Sequence, residues 1–139
     1  MKNRTLALVG SIVVAIHAFI NIAHGTAHRD LGIQLALWQS AFVALSFVIS
    51  PIVAAILLWT SCSLLGARIL VLSMTTSLLF GTYYHYVLVS PDHVAHLPAG
   101  DQQWLFQSTA LLLTLSQLLG LAVGVWFEGV DADKDITQA

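Results

Sequence analysis

Residues 33–60 read IQLALWQSAFVALSFVISPIVAAILLWT, and no Asp, Glu, Lys or Arg interrupts them. A helix of about 20 mostly apolar residues crosses the hydrocarbon core of a bilayer, so this run is long enough to span with residues to spare. Tryptophan stands near each end, at Trp38 and Trp59, where an indole ring would meet the membrane–water interface it prefers. The stretch predicts a transmembrane helix.

Three further runs have the same character: residues 5–24 before it, and 67–89 and 103–127 after it. Arg68, at the very start of the third, is the one charged residue in these segments. Trp104 and Trp126 bracket the last run, and Tyr83, Tyr84 and Tyr86 close the one before it. Backbone groups in lipid must bond within their own segment, which demands helices. The alternation expected of a transmembrane barrel strand is missing. The predicted fold is an all-α membrane protein, a four-transmembrane-helix bundle with short loops. One domain covers residues 1–127, and residues 128–139 form an acidic, solvated, disordered tail.

Composition agrees. Apolar residues make up 58% of the 139-residue chain and charged residues 9%, whereas soluble domains carry about 25% charged residues. The mean hydropathy is +0.84. A net charge of −2 with five Lys and Arg forms no basic patch for nucleic acid. The single cysteine, Cys62, can make neither an internal disulfide nor a thiolate cluster.

Lys2, Arg4, Arg68 and Lys134 fall on one side of the predicted topology, and Arg29 on the other. The positive-inside rule then sets both termini in the cytoplasm, in a plasma or inner membrane. The apolar stretch of span one exceeds the roughly 7–15 residues of a signal-peptide core, so it is expected to remain as a span.

The six histidines are confined to spans one and three and to the two loops that an even number of crossings brings to one face. His24 and His28 end span one, His85 ends span three, and His93 and His96 lie in the loop SPDHVAHLPAGD. Only His17 is deeper. His17, Asn21, His24 and His28 make one helical stripe if the helix continues past Gly25. Gln39, Ser46 and Ser50 make a second, and Thr75, Thr82 and His85 a third. Gln103, Gln107, Thr114 and Gln117 make the fourth. Lipid cannot satisfy such groups, so the stripes should face a polar bundle interior that is wettest at the extracytoplasmic face. Ser90, Pro91 and Asp92 fit the start of a short loop helix carrying His93 and His96 on one face. Pro51 should kink span two. Gly120 and Gly124 form a GxxxG pair that suits either packing within the bundle or a seam between copies in a homo-oligomer.

Histidines at i and i+4 on a helix offer two nitrogens to one ion. The expected site is therefore a transition-metal centre for redox or hydrolytic chemistry. Its candidate ligands are His24, His28, His85, His93, His96 and Asp92. His17 and Asn21 would form the deeper pocket, and Thr82, Tyr84 and Gln107 would supply hydrogen bonds. Imidazole suits Zn, Fe or Cu, while the lack of thiolate argues against soft Cu(I). A non-catalytic membrane subunit, or an assembly or transport accessory protein with structural histidines, is the alternative reading. A b-type haem between His24 and His85, in an electron carrier, is the second alternative. No span carries a carboxylate, which disfavours proton-coupled transport. The HxxxH and HxxH boxes are similar in form to those of membrane desaturases and hydroxylases, which carry more boxes and carry them on the cytosolic face. No residue role is taken over from them. Membrane lipid is the expected surrounding partner, and nucleic acid is not.

Overall fold

The computed structural model describes residues 2–137, with side chains described for 4–130. It is all helical, with no strand among the described residues. The helices are α1 (Lys2–Asp30), α2 (Leu37–Val43), α3 (Ser50–Leu57), α4 (Ser63–Thr82) and α5 (Gln103–Thr137). A π-helical stretch, Ala44–Ile49, joins α2 to α3, and another, Tyr83–Val87, extends α4. Four segments are long and apolar enough to cross a membrane: Arg4–Asp30, Leu37–Leu57, Ser63–Val87 and Gln103–Val130. Each overlaps a run predicted from sequence.

Cross-contacts show that neighbouring segments run antiparallel. Ser11 and His17 of α1 meet Trp59 and Phe47, in reverse order along the partner. Gly66 and Ser77 of α4 meet Leu58 and Ser46. His17 and His24 meet Ser116 and Thr109 of α5. The bundle is therefore up-down-up-down, and His24, His28 and His85 gather at the end away from the N-terminus.

α1 passes straight through Gly25 and stops at Asp30. Gly32 adopts φ +67°. Its N–H donates to the Arg29 carbonyl at 3.1 Å, and the Ile33 N–H donates to that of His28 at 2.9 Å. This is a glycine C-cap, which closes the last carbonyls of the helix and needs a residue without Cβ. The extra turns carry His28 on the same helix as His24. At the far end, α5 runs on to Thr137, so residues 128–137 extend the helix instead of forming the irregular tail expected. No proline or glycine after Gly129 stops it.

Pro51 acts on span two as expected of a residue without N–H. The turn before it widens to π geometry, with the Ser50 N–H bonded to the Leu45 carbonyl. The Ser46 carbonyl, which Pro51 cannot serve, accepts from Ser77 Oγ of α4 at 3.0 Å. This interhelical bond removes the cost of a buried orphan acceptor.

Two apolar clusters hold the bundle. One lies toward the N-terminal end and includes Leu6, Val14, Ala54, Leu70, Met74 and Phe127. The other sits at the histidine end and includes Ala27, Leu31, Ile33, Phe106 and Ala110. Buried polar side chains lie between them, among them His17, Ser77, Ser116 and Gln117. Gly120 and Gly124 are buried against α4, where an added Cβ would meet Met74 at 2.9 Å and Val71 at 2.7 Å. The close contact that GxxxG permits is made here within the bundle.

The polar stripe expected on span four is rotated. Gln107 is exposed, and Gln103 and Thr114 are only partly covered. The inward face is Phe106, Thr109, Leu113, Ser116, Gln117 and Gly120. Gln39 likewise serves the start of α2, where its Oε1 accepts from the Ala36 N–H at 2.7 Å. The short helix expected at Ser90 does not form. Residues 88–102 are turns, tied by Val94 N–H to the His85 carbonyl at 3.0 Å and by Gln107 Nε2 to the Val94 carbonyl at 2.9 Å. Pro91 removes one donor, and the following carbonyls are used by these tertiary bonds.

Candidate metal centre

Three imidazoles converge at the open end of the bundle. Ring centroids of His24 and His28 are 4.8 Å apart, those of His24 and His85 4.9 Å, and those of His28 and His85 6.1 Å. Each ring offers one nitrogen within 4.8 Å of a nitrogen from each of the others. Phe106 of α5 floors the cluster, with its ring centroid 4.6, 4.9 and 5.4 Å from those of His24, His28 and His85. His24 and His85 are buried and His28 nearly so.

Each ring has one nitrogen beside a polar group of the surrounding protein. Thr109 Oγ1 lies 2.8 Å from His24 Nδ1, and 2.6 and 3.1 Å from the Leu105 and Phe106 carbonyls. His85 Nδ1 faces the Asp92 backbone carbonyl at 3.1 Å, an obligate acceptor to which it donates. His28 Nε2 lies 3.1 Å from Asp92 Oδ1. A neutral imidazole with one nitrogen donating keeps a lone pair on the other. His24 Nε2, His28 Nδ1 and Asp92 Oδ1 are buried without a hydrogen-bond partner among the described residues.

Asp92 is 7% exposed. Burial by itself raises its carboxyl, but His28 and His85 beside it outweigh that and hold it well below the usual carboxylate range. The loop thus inserts an ionised carboxylate behind two imidazoles. Arg29, the nearest cation in sequence to the cluster, pairs with Asp30 at 3.6 Å and is largely exposed. A buried anion is stabilised by positive charge or donors beside it, and His28 and His85 face this carboxylate at 3.1 and 3.4 Å.

The other predicted residues divide. His93 and His96 are not brought to the cluster; their rings pack on each other, 4.9 Å apart. His17 lies two helical turns below His24, roughly 10 Å along the axis, with Nδ1 on Ser116 Oγ at 3.0 Å. Asn21 lines the cavity beside the cluster. Tyr84 packs on Phe80, and Gln107 holds the loop backbone instead of the imidazoles. Thr82 has no side-chain hydrogen bond to the cluster. Thr109 and Phe106 fill the roles that sequence reasoning assigned elsewhere. Counting back from Gly124 and Gly120 in steps of three and four reaches Gln117, Leu113, Ala110 and Phe106. Phasing span four on its glycines would have found the true face.

A cavity of about 440 Å³ adjoins the imidazoles, with all three histidines and Asp92 in its wall. A haem would need its macrocycle between the two axial rings. His24 and His85 instead meet edge to face, and Phe106 closes the space beneath them. The three histidines could hold a small ion beside the cavity.

Comparison with known proteins adds no relative: no protein family matches the chain, and no curated protein or solved structure is similar to it.

Proposed function

We propose that the chain is an integral membrane protein that binds one transition-metal ion through His24, His28 and His85. The observation that carries this reading is the convergence of three imidazoles, each offering one nitrogen within 4.8 Å of the others. Thr109 and Asp92 contact these rings, as outer partners orient metal-binding histidines. Three nitrogens at about 2.0–2.1 Å from one ion in tetrahedral geometry lie about 3.4 Å apart. The nitrogens, within 4.8 Å of one another, therefore need to close by about 1.4 Å at most.

Three neutral protein ligands with an open fourth position is the pattern of catalytic zinc, in which the ion lowers the pKa of bound water. Asp92 faces His28 and His85 and so supports them from behind, which disfavours the two-histidine, one-carboxylate iron arrangement. Zn²⁺ activating water for hydrolysis of a molecule held in the cavity is the reading supported best. Membrane embedding is supported by the apolar exterior. Phe19 is 76% exposed, Ile22 70% and Leu79 66%, a surface that water would not tolerate. The excess of Lys and Arg at the opposite end supports an extracytoplasmic position for the histidines.

Elemental analysis of protein purified without added metal tests the centre. About one equivalent of a single transition metal is expected, falling to near zero in His24→Ala and His85→Ala. Wild type that neither carries nor takes up such an ion would refute it. A cysteine at Ala99 in a Cys62→Ser background should be labelled from outside intact cells. Protection there would reverse the orientation.

A further inference from the structure

We infer that the gap between α1 and α2 is a chamber for a single-chain amphiphile. Its apolar chain would lie among Val43, Phe47 and Phe80, and its neutral or anionic oxygen head would sit at the histidines. For the head, this rests on the metal reading above; for the chain, it does not.

The chamber has a structural cause. Before the π-helical stretch, α2 leans on α4 through Trp38 and Phe42, whose rings lie 6.2 and 4.7 Å from that of Phe80. It does not close against α1. The space left is the cavity of about 440 Å³, within the roughly 300–1,000 Å³ range that takes one small molecule. Its walls are chemically divided. Val43, Phe47 and Phe80 line one part, and His24, His28, His85 and Asp92 line the other. α1 contributes Gly25, where an added Cβ would meet nothing within 4 Å. A glycine in mid-helix costs about 1 kcal/mol relative to alanine, and here no backbone conformation or close contact requires it. What it leaves is width beside His24. Exposed Ser40 forms the facing part of the wall.

Charge selects the head. A divalent ion exceeds the single negative charge of Asp92, and Arg29 stands at the rim paired with Asp30. An oxygen-bearing neutral or anionic group suits that end, and an ammonium group does not. A chain entering between two helices of a bundle reaches the site without leaving an apolar environment.

The test uses Zn²⁺-loaded protein in zwitterionic nanodiscs. Trp59, Trp104 and Trp126 are changed to Phe so that Trp38, packed on Phe80, is the sole emitter. Quenching by ω-bromoundecanoate should saturate and be reversed by undecanoate but not by undecylamine. Gly25→Phe, or Ser40→Phe from the facing wall, should weaken it roughly tenfold or more while Zn²⁺ content stays at the parent level. Non-saturating quenching, or quenching unchanged in both variants, overturns the chamber. Equal competition by undecylamine overturns the choice of head. Saturable quenching in protein that takes up no Zn²⁺ would remove the metal centre and leave the chamber standing. Bound Zn²⁺ without saturable quenching would do the reverse.

Discussion

At the end where α3 turns into α4, helix backbones almost touch; at the other end α2 stands away from α1 and leaves room for a ligand. Gly66 marks the first. A Cβ there would lie 2.9 Å from the Ala54 carbonyl oxygen, the Leu57 Cβ and the Leu58 nitrogen. Gly25 marks the second, with open space where its Cβ would be. The same residue type thus closes one end and widens the other. The closed end is held by backbone proximity and small residues, which give many weak contacts and no chemistry. The open end is held by hydrogen bonds to histidine and an inserted loop carboxylate, which orient groups without filling the space. Packing supplies the scaffold, and the place where packing is relaxed carries the site.

The sharpest break of this contrast is His85→Ala, which should reduce bound metal from about one equivalent to near zero while helicity by circular dichroism is kept. Gly66→Val should act in the opposite sense, costing about 1–3 kcal/mol in reversible unfolding from micelles through overpacking, with little change in metal affinity per folded molecule. Asp92→Asn keeps the shape of the loop but removes the charge behind His28 and His85. Metal affinity should fall by about 10–100-fold, as read by competition with a chelator. Gly25→Ala should stabilise the fold by up to about 1 kcal/mol, because an alanine Cβ fits there and favours the helix. Destabilisation by that change would mean that the gap beside α1 closes in solution. The smallest effect is expected from His93→Ala with His96→Ala. Those rings pack on each other in the loop, so metal content should stay at the parent value.

Much of this was legible from residue order. Long runs without charge, bracketed by tryptophan, mark four helices, and all four tryptophans are exposed in the fold. The stripe His17, Asn21, His24, His28 was readable because α1 is an uninterrupted helix with a glycine cap at Gly32. The meeting of His24 and His28 with His85 follows from counting crossings. Span four resisted, because several of its polar residues serve needs other than facing the interior. Gln103 and Gln107 hold the loop through the Pro98 and Val94 carbonyls, and Thr114 bonds its own helix at the Ala110 carbonyl. Polarity alone cannot distinguish a side chain that binds backbone nearby from one that faces across the bundle.

Residue order by itself determined the helices, their number, and which histidines share an end, since these depend on local hydropathy and on the parity of crossings. Only the tertiary structure decided which face of α5 turns inward, that Asp92 is brought against two imidazoles, and which groups each ring contacts. Rotation about a helix axis and the path of a turn-rich loop are set by partners distant in sequence. His24 is 85 positions from the threonine it contacts.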